Sequence, residues 1–132
     1  MHIDHIALAV QDLDETLAFY RDALGVELTE RRAVPAEGVE IAFLPLGEAK
    51  LELLCPLTAE SNMARFIQKR GEGIHHLCIK VEDIEAKIAQ LKEHGARMAT
   101  EIRSHPDGTR YAFVHPKSTH GVLMELYQQP ET

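Results

Sequence analysis

The sequence has neither a long apolar run nor an excess of basic residues. No apolar stretch approaches the roughly 20 residues of a membrane-spanning helix, and the N-terminus lacks the basic start and apolar middle of a signal peptide. The formal net charge is −7, and the acidic residues are scattered along the chain. These absences argue against a membrane or nucleic-acid partner and predict a cytoplasmic protein.

Cysteine is scarce as well, and two common catalytic motifs are missing. Cys55 and Cys78 both lie in apolar, strand-like runs, a setting that favours buried thiols over a disulfide or a nucleophile. The chain has neither a glycine-rich phosphate loop nor a Gly-x-Ser-x-Gly elbow. Its 132 residues, 45% of them hydrophobic, suffice for one compact domain with its own core.

What the sequence does contain is an internal repeat. A shift of 71 positions brings His5 onto His76. The same shift matches Val10 with Val81, Asp12 with Asp83, Leu13 with Ile84, Leu17 with Ile88 and Tyr20 with Leu91. Each copy closes on a strand-like run that contains one glutamate, Glu52 in the first and Glu125 in the second. The repeat predicts an α+β protein of two β-α-β-β-β modules that form one cupped mixed sheet.

Hydrophobic periodicity and turn residues set the expected elements. The first module, at about residues 1–56, has predicted strands at 3–10, 26–32, 39–46 and 50–54, and a helix from the Asp12 cap to Gly25. The second, at about 73–128, has predicted strands at 74–81, 97–103, 111–115 and 121–127, and a helix from the Asp83 cap to Gly95. A linker segment at about 57–72 contains a short predicted helix.

Alternation along the strands predicts which polar side chains share a face. If His5 points to one face of the sheet, Ile6 points to the helix on the other, and the same rule sends His76, Glu52 and Glu125 to the face of His5. Burying two imidazoles and two carboxylates is costly, so a divalent cation is their natural partner. Nitrogen and oxygen ligands suit zinc, cobalt, nickel, manganese or ferrous iron. The alternative is four ordinary polar residues on an exposed sheet face.

Several runs of residues carry a likeness to a known family. They are residues 4–10, 38–39 with 42–47, 52–54, 71–76, and 113–118 with 121–123. These runs resemble the vicinal oxygen chelate superfamily, and within it the methylmalonyl-CoA epimerases most of all. The resemblance covers nearly the whole chain. It implies one divalent metal ion per chain, held by His5, His76 and Glu125, with Glu52 at a place that some relatives fill with Gln.

The reaction implied by this resemblance is inversion at the 2-carbon of methylmalonyl-CoA, an acyl-CoA thioester, through a metal-stabilised enolate. Moving a proton from one face of the carbon to the other needs a base on each face. Glu52 and Glu125 fit that requirement best, and Glu40 is the reserve candidate. The candidates for binding the substrate are Lys117, Ser118 and Arg110.

Two other functions stay open at this point. A glyoxalase I type lyase uses the same fold and all four His and Glu ligands on a glutathione hemithioacetal, and Glu52 in place of Gln supports it. A metal-free small-molecule-binding protein of the same fold is the third possibility. Exposed strand edges and apolar helix residues such as Phe19 and Phe66, together with the resemblance, predict a homodimer.

Overall fold

The structure, a computed structural model, describes residues 1–131 in two compact units. The first unit is His5–His75, and the second unit is Met1–Asp4 together with the chain from His76 onward. Each unit runs through a strand, a helix and three further strands, which confirms the predicted fold class of two β-α-β-β-β repeats. None of the helices within residues 1–131 has the length and apolar character that crossing a membrane requires.

The first unit holds a four-stranded mixed sheet. Its elements are β1 (His2–Ala9, of which the part from His5 lies in this unit), α1 (Leu13–Leu17), a π-helical segment (Ala18–Ala23), β2 (Glu30–Val34), a 3-10 turn (Pro35–Glu37), β3 (Val39–Leu46), β4 (Ala49–Pro56) and α2 (Asn62–Arg70). The strand order is β2-β3-β4-β1, with β1 parallel to β4 and the other neighbours antiparallel.

The second unit repeats this topology. Its elements are β5 (Gly73–Lys80, of which the part from His76 lies in this unit), α3 (Ile84–Glu93), β6 (Arg103–Ser104), β7 (Arg110–Val114) and β8 (Met124–Gln128). The strand order is β5-β8-β7-β6, with β5 parallel to β8 and the other neighbours antiparallel.

The repeat extends to the way each helix begins. The Asp12 carboxylate accepts a hydrogen bond from the Glu15 N–H at 2.9 Å, and the Asp83 carboxylate accepts one from the Ala86 N–H at 3.0 Å. Each aspartate thereby satisfies one N–H of a first turn that has no partner within its own helix. Both predicted caps are confirmed.

Three predicted strands are shorter than expected, and one of them is β8, which begins at Met124 rather than at Gly121. In the first unit β2 starts at Glu30 because Val26 and Leu28 pack into the core beneath α1 and make no ladder. In the second unit β6 is reduced to two residues, preceded by one isolated bridge at Met98. There the N–H groups of Ala99 and Thr100 both donate to the Phe113 carbonyl, so the regular ladder is interrupted.

The helix after Asp12 also differs from a regular α-helix. It is α-helical for five residues and then widens into the π-helical segment. The Leu24 N–H donates to the Phe19 carbonyl, five residues earlier, at 2.8 Å. The hydrophobic spacing predicted the helix but not its change of pitch.

The apolar cores decide which face of each sheet remains for a site. In the first unit Leu8 and Leu53 pack against α1, whereas Ala7 and Ala9 belong to a second cluster with Met63 of α2. In the second unit a single cluster joins the sheet to α3; it contains Ile79, Val81, Ile84, Ile88, Ala112, Val114 and Leu126. We call the face opposite α1 or α3 the site face of that unit. The predicted alternation along β1 and β5 is confirmed.

Both cysteines lie in the folded interior, as predicted. Cys55 and Cys78 are buried, and neither forms a disulfide. The Cys55 thiol donates to the Gln11 carbonyl at 3.4 Å, and burial raises the pKa of this thiol above its usual value. A buried thiol that stays protonated is a packing residue rather than a nucleophile.

Candidate metal and active site

The first unit presents a histidine and a glutamate on its site face. In the parallel ladder of β1 and β4, Glu52 lies beside Ala7, two residues along from His5. The His5 Nε2 is 3.6 Å from a Glu52 carboxylate oxygen, and the two side chains are only 9% and 13% exposed. The pair is therefore a preformed, nearly buried nitrogen and oxygen donor set.

The second unit contains the matching pair in the same register. Glu125 lies beside Cys78 in the parallel ladder of β5 and β8, and Cys78 is two residues along from His76. The His76 Nε2 is 3.3 Å from a Glu125 carboxylate oxygen, with side-chain exposures of 8% and 10%. The structure thus joins the four predicted ligands into two repeat-related pairs, one within each unit.

A phenylalanine stands beside each glutamate, a neighbour that was not predicted from the sequence. In the antiparallel ladders Phe43 lies directly across from Glu52, and Phe113 lies directly across from Glu125. The Phe113 ring meets the His76 imidazole edge to face, with ring centres 5.7 Å apart. Each ring places apolar surface in the strand next to a carboxylate, and Phe113 also packs against the imidazole of His76. The sequence signal that could have identified them is that each lies at the equivalent place in the third strand of its module.

Two further histidines near the predicted site have other contacts. The His75 imidazole packs against the Phe66 ring at 4.6 Å between ring centres. The His115 Nδ1 accepts a hydrogen bond from the Lys117 N–H at 3.1 Å and so shapes the turn after β7. These contacts agree with the alternation along β5, which turns His75 away from the face of His76.

Glu40 lies on the other face of the first unit. It is directly across from Cys55, whose side chain belongs to the core beneath α1. The Arg31 guanidinium donates to Glu40 at 3.1 Å and to Asp14 of α1 at 2.6 Å. The hydrogen bond to Glu40 raises the pKa of Arg31 most, and the hydrogen bond to Asp14 is the next largest cause. Arg31 in turn holds the pKa of the Asp14 carboxyl below its usual value. Glu40 is therefore bound into a charge network that joins the sheet to α1.

The three candidate substrate-binding residues lie in different surroundings. Arg110 is ion-paired with Glu85 of α3, on the face opposite Phe113. The Ser118 hydroxyl accepts a hydrogen bond from the Arg97 N–H at 2.8 Å and so stabilises the turn. Lys117 is exposed in the same turn.

Comparison with known proteins shows which family has a similar sequence. The model of the glyoxalase/bleomycin resistance protein/dioxygenase superfamily matches residues 4–113. An ethylmalonyl-CoA/methylmalonyl-CoA epimerase of Cereibacter sphaeroides is 42% identical over 96% of this chain and 96% of its own length. The human mitochondrial methylmalonyl-CoA epimerase is 41% identical over 96% of this chain and 73% of its own length.

A solved structure extends the likeness to the fold. A single-substitution variant of the methylmalonyl-CoA epimerase of Streptomyces coelicolor, in complex with 2-nitronate-propionyl-CoA, superposes with a TM-score of 0.84 at 36% identity, covering 98% of this chain and 94% of its own. The chain belongs to the glyoxalase/bleomycin resistance protein/dioxygenase superfamily and, within it, to the family of methylmalonyl-CoA epimerases. The family and the enzyme class predicted from the sequence are confirmed.

Proposed function

We propose that this chain inverts the 2-carbon of methylmalonyl-CoA by 1,1-proton transfer, with a divalent metal ion held by His5, Glu52, His76 and Glu125. The observation that carries the proposal is the repetition of a nearly buried His–Glu pair, at 3.6 Å in the first unit and 3.3 Å in the second. Membership of the epimerase family supplies the substrate class.

The donor atoms fit a metal ion. Two ligands bound at about 2.0–2.2 Å to the same ion lie roughly 3.0–3.4 Å apart, and both His–Glu separations are close to that span. Neutral imidazole and carboxylate donors suit cobalt, zinc, nickel, manganese or ferrous iron, and the identity of the ion is open among these. When bound, such an ion would supply the positive charge that polarises the thioester carbonyl.

The carboxylates of Glu52 and Glu125 supply the acid and base function in this proposal. One accepts the proton from the 2-carbon and the other returns a proton to the opposite face. Phe43 and Phe113 flank them and limit access of water, which favours return of the proton over its loss to solvent. Glu40 ranks third, because its carboxylate is engaged with Arg31 on the face that packs against α1.

Substrate binding in this proposal rests first on Lys117. Its ammonium is exposed beside the turn after β7 and suits the acidic groups of an acyl-CoA. Ser118 and Arg110 are weaker candidates, since the Ser118 hydroxyl holds the Arg97 N–H and the Arg110 guanidinium is paired with Glu85. A cytoplasmic location remains a prediction from the sequence.

A homodimer with one metal site per chain completes the proposal. Phe19 and Leu24 are 56% and 57% exposed at the two ends of the π-helical region, an apolar surface that a second copy would cover. Phe66, the other residue named from the sequence, is half-buried between Arg70 and His75. Sedimentation velocity at micromolar concentration tests the dimer, and a single monomeric species with full activity would refute it.

Proton exchange in heavy water tests the reaction itself. The metal-loaded protein should incorporate one deuterium at the 2-carbon of methylmalonyl-CoA and interconvert its two epimers. The same preparation should be inactive on the hemithioacetal of glutathione and methylglyoxal. Turnover of the hemithioacetal without exchange on methylmalonyl-CoA would establish the lyase instead. If the protein is purified without bound metal and shows neither activity, the result would favour the metal-free binding protein.

A further inference from the structure

A lysine shares the site face of the first unit with the His5–Glu52 pair. His5 and Lys50 are neighbours in the parallel ladder of β1 and β4, so their side chains point to the same face of the sheet. Glu52 is two residues further along β4 and points to that face as well. Lys50 is half-buried. The nearly buried donor atoms of this pair therefore have a cationic side chain close to them.

The Lys50 ammonium turns along the sheet toward the row of the glutamate. Pro45 is directly across from Lys50 in the ladder of β3 and β4, and Phe43 is directly across from Glu52. The Lys50 Nζ lies over the Phe43 ring, 5.5 Å from the ring centre. The face of an aromatic ring attracts a cation, so this contact holds the positive charge beside the row of Glu52.

The row of Lys50 lies at the uncovered end of the site face within the first unit. At the opposite end, beyond Glu52, α2 packs on Ala9 and Leu54. At the Lys50 end the facing residue, Pro45, is exposed. Within this unit, the side of the glutamate that α2 leaves uncovered is thus the side of the lysine.

The equivalent place in the second unit is apolar. Leu123 stands two residues before Glu125, as Lys50 stands two residues before Glu52. A carboxylate beside a neutral imidazole gives each His–Glu pair one negative charge, and only the first pair has a lysine that offsets it. The two pairs are therefore alike in their donor atoms and unequal in net charge.

We propose that Lys50 is a specificity-determining residue that selects ligands bringing negative charge to the His5–Glu52 pair, an inference that rests on the proposed function. The ligand class is a thioester with a carboxylate on its reacting carbon. That carboxylate is repelled by the glutamates, and the ammonium offsets this repulsion. Loss of a proton from the same carbon adds further negative charge, which the ammonium also opposes. A hemithioacetal has no carboxylate on its reacting carbon and gains no such advantage.

The same lysine has the opposite effect on a divalent cation. A positive charge near the donor atoms repels a dication, so Lys50 lowers the affinity for metal while it raises the affinity for an anionic ligand. A residue that only packs against Phe43 would not change the two affinities in opposite directions. The pair of measurements therefore separates a role in charge from a role in packing.

Binding of two thioesters to the zinc-loaded protein tests the selection. Malonyl-CoA has a carboxylate where propionyl-CoA has a methyl group, and calorimetry compares them without turnover. Lys50→Met keeps an apolar stem over Phe43. It should bind malonyl-CoA about tenfold or more weakly, as expected for a lost charge-assisted contact, and should bind propionyl-CoA as the wild type does. Lys50→Arg should restore most of the affinity for malonyl-CoA.

Lys69→Met is the matched control, because Lys69 is exposed in the last turn of α2. It should bind both thioesters and zinc as the wild type does. Competition with a chelator should show that Lys50→Met binds Zn²⁺ at least as tightly as the wild type, since a repelling charge has been removed. Weaker zinc binding, or an equal loss of affinity for both thioesters, would indicate a packing role for Lys50 and overturn the inference.

The binding data are independent of the epimerase reaction. Unchanged affinity of Lys50→Met for malonyl-CoA would overturn the inference even if the wild type exchanges the proton of methylmalonyl-CoA. A selective loss of malonyl-CoA binding in Lys50→Met, together with a wild type that exchanges no proton, would retain the charge selection and refute the proposed function.

Discussion

The two units share the parts that position a His–Glu pair and differ in what surrounds it. In both units, the residue that follows the histidine strand makes a backbone hydrogen bond to the glutamate strand. The Val10 N–H donates to the Leu54 carbonyl at 2.9 Å, and the Val81 N–H donates to the Tyr127 carbonyl at 2.8 Å. The first unit covers its site face with α2, whereas the second has Lys80, Tyr127, Tyr111 and Arg103 in the equivalent places. One scaffold thus carries equivalent ligands and unequal surroundings.

The ion pairs on the faces that carry α1 and α3 show that the two units can make the same contact with different residues. Glu40 and Arg110 hold equivalent places in the third strand of each unit, and Asp14 and Glu85 hold equivalent places in the following helices. In the first unit Arg31 bridges the two acids; in the second, Arg110 pairs with Glu85 directly. A strand-to-helix contact is kept although the charge in the strand is reversed, which favours a structural role for Glu40.

Removing either imidazole should have the largest effect. His5→Ala and His76→Ala should each abolish stoichiometric divalent metal binding and reduce kcat by orders of magnitude, because each takes one nitrogen donor from a set drawn equally from both units. Elemental analysis and the proton-exchange assay measure the two consequences. Circular dichroism should show an intact fold.

His94→Ala is the matched control for the two imidazole variants. His94 is an exposed histidine at the C-terminal cap of α3, distant in sequence from either His–Glu pair. It should keep its metal and its activity. If His5→Ala and His76→Ala also retain one metal ion per chain, the proposed ligand set is wrong.

The glutamates provide the next comparison. Glu125→Gln and Glu52→Gln should lower kcat by roughly 10²–10⁴-fold, since each removes a proposed general base. Glu40→Gln should change kcat far less, because it disturbs only the network with Arg31. Rates of deuterium incorporation under saturating substrate measure all three. A loss in Glu40→Gln as large as that in Glu125→Gln would move Glu40 into the catalytic pair.

Much of this arrangement could be predicted from the sequence because the repeat encodes it locally. The histidines, the glutamates and the capping aspartates recur at fixed offsets, and strand alternation then assigns their faces. Val39–Leu46 is a strand with the predicted bounds, because the turn before it and Gly47 after it fix both of its ends. The linker helix followed from the spacing of Met63 and Ile67.

The remaining features depend on pairing between strands, which local patterns do not specify. Phe113 becomes a neighbour of Glu125 only through the antiparallel register of β7 and β8. Residues 97–102 have strand-like composition, but two N–H groups there share one carbonyl of the neighbouring strand and the ladder fails. Lys80, Tyr127, Tyr111 and Arg103 likewise become neighbours only through the pairing of four strands.

The helix caps test whether the two units respond alike. Asp12→Ala and Asp83→Ala should each lower the free energy of unfolding by about 1 kcal/mol, because each leaves one first-turn N–H without its side-chain acceptor. Urea denaturation measures both. Asp→Asn at the same positions, which preserves an acceptor oxygen, should restore most of the loss. A loss of unfolding free energy in only one of the two alanine variants would show that the two caps do not contribute equally to stability.

The smallest expected effect concerns acid stability in the first unit. Arg31 holds the pKa of the Asp14 carboxyl below its ordinary value of 3.8, so the folded protein binds that proton less readily than the unfolded chain. The resulting stabilisation is present above the unfolded pKa and disappears as the pH falls through the folded pKa. Asp14→Asn should therefore be slightly less stable than the wild type at neutral pH, and the difference should shrink as the pH falls below 3.8 and vanish once the carboxyl is protonated in the folded protein as well. Urea unfolding across that range measures it. Because Asp14 is fully exposed, the effect should also shrink with added salt. A difference that stays constant with pH would show that packing of the side chain, rather than the ion pair with Arg31, links α1 to the sheet.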